Sequence, residues 1–174
     1  MKNMNIEALY DFEKSIYHNL SASQKSDSVS GSWNFENEVS QFKAHVKSEN
    51  GNAIMLADNM TVLGGNGIQP SPMQYLLFGI ASSFGSVLVR KAVVYNHDIK
   101  NLNVEVKAIT NYDKFFGIDD RPPVDKLEIT LDITTDQDKN KIRQLQKVAF
   151  DCCPVLFLIN KEIDIDFILN LHRP

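Results

Sequence analysis

The chain is poor in the residues from which most reactive and metal sites are built. Its 174 residues include two cysteines and four histidines. Cys152 and Cys153 are adjacent, while His18, His45, His97 and His172 are far apart in sequence. That set offers no metal-ligand spacing, so no metal and no cofactor is expected. Two cysteines without an export signal predict reduced thiols in the cytoplasm rather than a disulfide scaffold. The N-terminal stretch carries Glu7, Asp11 and Glu13 and lacks the continuous apolar segment of a secretory signal. The net charge is -4 and the Lys and Arg residues are scattered, which leaves no basic patch for nucleic acid. No charge occurs from Asn59 to Val89, but the mostly apolar part, Tyr75 to Val89, is shorter than the roughly 20 residues of a spanning helix. It also contains Gly79, Ser82, Ser83, Gly85 and Ser86, so a buried core helix is predicted and no membrane. Gly64-Gly65-Asn66-Gly67 lacks the Lys-Ser/Thr of a phosphate loop and reads as structural. Ser83, mid-helix among apolar residues, lacks the flanking elbow and base of a hydrolase nucleophile. There is no internal repeat and no low-complexity tract.

What is present is ordinary globular material, 43% hydrophobic and 23% charged. A chain of this length is expected to bury about 70% of its unfolded surface. Ile6, Leu9, Ile16 and Leu20 recur at helical spacing, which predicts an N-terminal amphipathic helix between Asn5 and Leu20. Ser21 to Ser30 is a polar linker. Residues 1–28 are therefore assigned to an N-terminal helical extension and linker, and 29–174 to the main domain. Alternation through Trp33 and Phe35, then Phe42, Ala44 and Val46, with a turn at Glu49-Asn50-Gly51-Asn52, predicts an antiparallel meander ending in a strand at Ala53–Ala57. Ser71 is a good N-cap and Pro72 a good first residue for a helix running to about Tyr95. Strands are predicted around Leu102-Val104-Val106 and over Val124–Thr134. A helix opening at Asp136, a short helix after Pro154 and a last strand near Ile163–Ile168 complete the chain. Strands on both sides of one very apolar helix indicate an α+β domain. That helix is apolar nearly all round and so expected to be buried, with Gly79, Ser82, Ser83 and Ser86 forming a small-residue face.

Two segments carry a resemblance. Ser71-Pro72-Met73-Gln74-Tyr75-Leu76-Leu77-Phe78-Gly79-Ile80-Ala81-Ser82-Ser83-Phe84, together with Cys152-Cys153-Pro154-Val155, resembles the two signature segments of the OsmC/Ohr family. Those are bacterial stress-response proteins, many of which reduce organic hydroperoxides with a cysteine pair. The resemblance implies antiparallel sheets around a long buried central helix, in an intertwined homodimer whose long helices share a core. It also implies a site at the subunit interface, in an apolar cleft suited to fatty hydroperoxides.

The same resemblance exposes three departures. A cysteine peroxidase needs a thiolate that becomes a sulfenic acid and a second thiol that condenses with it, and the first thiol needs activation. Ser83 stands where the family pattern places the reactive cysteine. Met73 follows Pro72 where the pattern places a Glu. No arginine occurs before Arg90, so the activating guanidinium has no N-terminal candidate. A hydroxyl has no counterpart to the reversible sulfenic state. The leading expectation is thus a stress-response-type protein, a cytoplasmic homodimer with a degenerate site at Ser83 and Met73, which has lost hydroperoxide reduction and holds an apolar small molecule at the interface. The alternative is a thiol-dependent peroxidase or reductase in which Cys153, at the start of the short helix after Pro154, is the catalytic thiol and Cys152 its partner. Adjacent cysteines lie about 100° apart on a helix and rarely bridge without strain. As small hydrophobes in a packed helix end, both are also explained without any chemistry.

Overall fold

The long helix shows how the sequence sets an element boundary. Ser71 Oγ accepts the Gln74 amide hydrogen at 3.2 Å, and Gln74 Oε1 accepts the Ser71 amide hydrogen at 2.8 Å. This reciprocal cap, with proline at the first helical position, starts the helix at Pro72. The computed structural model describes residues 3–172. Its elements are α1 (Ile6–His18), β1 (Ser30–Trp33), β2 (Phe42–Ser48), β3 (Gly51–Ala57), α2 (Pro72–Val94), β4 (Asn101–Thr110), β5 (Val124–Thr134), α3 (Lys139–Cys152) and α4 (Pro154–Asn160). The protein is therefore α+β, with antiparallel sheets and one long helix, as predicted. Two compact units divide between Phe78 and Gly79, inside α2.

In the first unit β1, β2 and β3 form an antiparallel sheet in sequence order, with Trp33 opposite Phe42 and Phe42 opposite Ala57. Ala44 is its one buried apolar side chain among the described residues. Trp33, Phe35 and Ile54 are 47%, 91% and 59% exposed, so this sheet leaves much apolar surface uncovered. Phe35 falls just outside β1. Gly31 is favoured by packing, because a Cβ there would lie 2.8 Å from the Lys43 carbonyl oxygen and 2.5 Å from the Phe42 ring. In α1, Asn5 accepts the Ala8 amide hydrogen and caps the helix, yet no α1 side chain is buried.

The second unit has the denser core. β4 and β5 pair antiparallel, with Leu102 opposite Ile133, Val104 opposite Leu131 and Val106 opposite Ile129. These alternate residues share one face, and that face meets α2 at Gly85, where a Cβ would be 3.5 Å from Val104 Cγ2. Ile80, Phe84, Leu88 and Ala92 of α2 are at most 2% exposed, as are Leu145 and Ala149 of α3.

Two expectations are corrected below, the start of α3 and a C-terminal strand. Within a single chain α2 is buried along one side. Leu76, Phe78 and Val94 are 45%, 67% and 47% exposed, and Ser82 and Ser86 are exposed as well. The helix has 23 residues, and an 18-residue window within it reaches a mean hydropathy of 1.5, so by length and composition alone it could cross a membrane. Helix α3 opens at Asp138 rather than Asp136. The Asp138 carboxylate accepts the Asn140 amide hydrogen at 2.7 Å, while Asp136 instead pairs with Lys100. Finally, Ile163–Ile168 forms no strand. Its alternation supplies an apolar face, but a strand also needs a ladder partner, and no described strand pairs with it. Phe167 and Ile168 are 93% and 86% exposed.

Candidate functional site

Cys153 lies at the junction of two helices. It ends α3 and caps α4 in an extended conformation, φ -80° and ψ 114°. The extended backbone follows from Pro154, which disfavours helical dihedrals in the residue before it. The Cys153 amide donates to the Phe150 carbonyl at 3.3 Å, and its own carbonyl accepts the Phe157 amide hydrogen at 2.9 Å. Its side chain makes no cap bond to α4. Instead, Cys153 Sγ lies 3.3 Å from Ser83 Oγ, where either atom serves as donor. The sulfur is fully buried and Ser83 is half-buried.

The fold thus brings together Ser83 and Cys153, which are 70 residues apart in sequence. The other two sequence-predicted residues lie elsewhere along their helices. Cys152, one residue away, is exposed in the last turn of α3, and both thiols are free. Met73 occupies the first turn of α2 and is half-buried. Arg90, the first arginine of the chain, donates from Nε to the Ser86 carbonyl at 3.2 Å, one turn back on its own helix. Among the described residues no group of His, Cys, Asp or Glu is arranged to hold a metal ion.

A model of the OsmC-like protein family matches residues 64–167, well over half the chain, and spans both Ser83 and Cys153. The chain belongs to the OsmC-like family. Solved structures with the same fold include an OsmC-like protein of Mycoplasma pneumoniae, at 13% identity and a TM-score of 0.59, covering 79% of this chain and 89% of that one. An organic hydroperoxide resistance protein OsmC of Legionella pneumophila aligns at 19% identity and a TM-score of 0.55, over 78% of this chain and 91% of its own. One from Elizabethkingia anophelis, with thiocyanate bound, gives 18% identity and 0.55, over 78% and 89%. A search of curated proteins finds no match. At Ser83 and Cys153 the chain presents a hydroxyl beside a thiol. Such a pair makes a hydrogen bond but no disulfide.

One structural residue was missed in the sequence. Asp58, 2% exposed, accepts amide hydrogens from Asn66 at 3.1 Å and from Ile68 at 3.3 Å. Gln41 adds bonds to the Gly64 carbonyl at 3.0 Å and the Asn59 amide at 3.1 Å. Together they fold the glycine loop that precedes α2. Gly65 belongs to that design, since a Cβ there would meet the Asn59 carbonyl oxygen at 2.0 Å. The available signal was an acidic residue shortly before a Gly-Gly-Asn-Gly loop, whose amides need acceptors.

Proposed function

We propose that this OsmC-like protein is a cytoplasmic homodimer that has lost hydroperoxide reduction and holds an apolar small molecule at the dimer interface beside Ser83. The observation that carries the reading is the 3.3 Å contact between Ser83 Oγ and Cys153 Sγ. Two family cysteines at these positions form a reactive pair. Here the first step, thiolate attack on a peroxide oxygen to give a sulfenic acid, has no sulfur at Ser83 to perform it. Met73 offers no proton-accepting group and only a weak sulfur acceptor where the family pattern has a carboxylate. The remaining sulfur of Cys153 is sealed from solvent. Exposed apolar side chains on the first sheet and on α2, such as Trp33, Ile54 and Phe78, support a second copy covering them, because surfaces of that kind mark interaction sites.

A second reading rests on the same contact. In it Cys153, hydrogen-bonded to Ser83, is the catalytic thiol and exposed Cys152 its resolving partner. Consumption of cumene hydroperoxide with a dithiol reductant separates the two. We expect wild type and a Cys152→Ser/Cys153→Ser variant to give the same background rate. Turnover that disappears in the variant would establish the thiol reading instead. Sedimentation velocity is expected to give a species of twice the chain mass, and a monomer at micromolar concentration would overturn the dimer.

A further inference from the structure

A groove of about 570 Å³ runs between α3 and β5, wholly within the second unit. Its floor is apolar. Phe84 lies at the bottom, 2% exposed, with Leu127 and Ile129 from one face of β5 and Phe150 from α3. The rim carries Arg143 and Lys147, one turn apart on α3 and followed by Phe150 on the same stripe. No carboxylate lines the groove, and neither cation has an ion-pair partner among the described residues.

We propose that this groove binds a single-chain anionic amphiphile, an acyl chain ending in a carboxylate or a phosphate. The volume falls in the range of small-molecule sites. A purely apolar ligand would leave two positive charges over its entrance unanswered. A purely polar anion would leave the aromatic and aliphatic floor in water. An acyl chain with one anionic end satisfies both, because the arginine fork matches carboxylate and phosphate oxygens and the cation stems extend the apolar wall. Neither Ser83 nor Cys153 lines the groove, so the inference stands whether or not thiol chemistry survives at that pair.

The test is calorimetric titration of the full chain with laurate and with dodecyl phosphate below their micellar concentrations, with dodecyl maltoside as the uncharged control. The comparison protein is Arg143→Gln/Lys147→Gln, both exposed positions, checked by circular dichroism for an unchanged fold. We expect one site per chain for at least one of the anions and weakening of roughly tenfold or more in the variant, as loss of charge-assisted hydrogen bonds implies. Dodecyl maltoside is expected to bind at least as weakly to wild type as the anions bind to the variant. The tighter of the two anions identifies the head group. Binding that is equal in variant and wild type, or as tight for the maltoside, overturns the proposal. So does the absence of binding by both anions, and a change of oligomeric state in the variant would then assign the groove to a second copy.

Discussion

Replacing Gly85 by alanine is expected to stabilise the protein, and the size of the gain follows from the geometry around α2. Gly85 lies in the helix interior, where glycine costs about 1 kcal/mol relative to alanine. An added Cβ would sit 3.5 Å from Val104 Cγ2 and 3.8 Å from Leu102 Cδ2, which is ordinary contact rather than overlap. Burial of one methyl group adds up to about 0.8 kcal/mol. The expected gain is thus about 1–2 kcal/mol, or several degrees in Tm for a chain of this size. Urea unfolding followed by far-ultraviolet circular dichroism measures it as a higher midpoint at unchanged slope. A loss of stability at unchanged slope would refute the packing of α2 on β4. Gly79→Ala provides the contrast. Nothing lies within 4 Å of a Cβ there, so within one chain only the helix-propensity gain of about 1 kcal/mol is expected. If the small-residue face of α2 meets a second copy, that variant instead raises the dimer dissociation constant in sedimentation.

Ser83→Cys is expected to form a disulfide with Cys153 under diamide, seen as a mass loss of two hydrogens that Cys153→Ser abolishes, because the two side-chain atoms are already 3.3 Å apart. Two reduced thiols after oxidation would contradict that geometry. Asp58→Ala is expected to destabilise by about 2–4 kcal/mol in urea, since it strands two loop amides that the buried carboxylate now satisfies. A change below about 0.5 kcal/mol would mean that water replaces the carboxylate. Lys100 is held above the ordinary amine range by its hydrogen bond to Asp136 and then by that residue's charge. Its contribution is complete below the unfolded amine value of about 10.4 and is lost as pH rises through the raised folded value. Lys100→Met should therefore flatten the alkaline limb of the stability profile, and an unchanged limb would refute the coupling.

Much of this architecture was legible because local chemistry decided it. Ser71 and Pro72 mark the start of α2 in any context, and the β5 alternation needs only its period of two. Boundaries decided by competition were less legible. Asp136 and Asp138 are both plausible caps, and only the position of Lys100 shows which carboxylate is already engaged. The alternation at Ile163–Ile168 was read correctly as a pattern and wrongly as a strand, since a ladder partner is a property of the fold rather than of the segment. The site was half legible. Ser83 and Cys153 were named from signature segments, yet sequence spacing says nothing of a contact across 70 residues. The groove was invisible for the same reason, because its walls come from α2, β5 and α3, and Arg143 and Lys147 read as scattered surface charge.

The central claim is that the Ser83–Cys153 pair no longer reduces peroxides. The most direct measurement is consumption of an organic hydroperoxide, with excess dithiol, by wild type beside Cys152→Ser/Cys153→Ser. Equal background rates are predicted. A wild-type rate well above that of the variant would contradict the account and place the chemistry on Cys153.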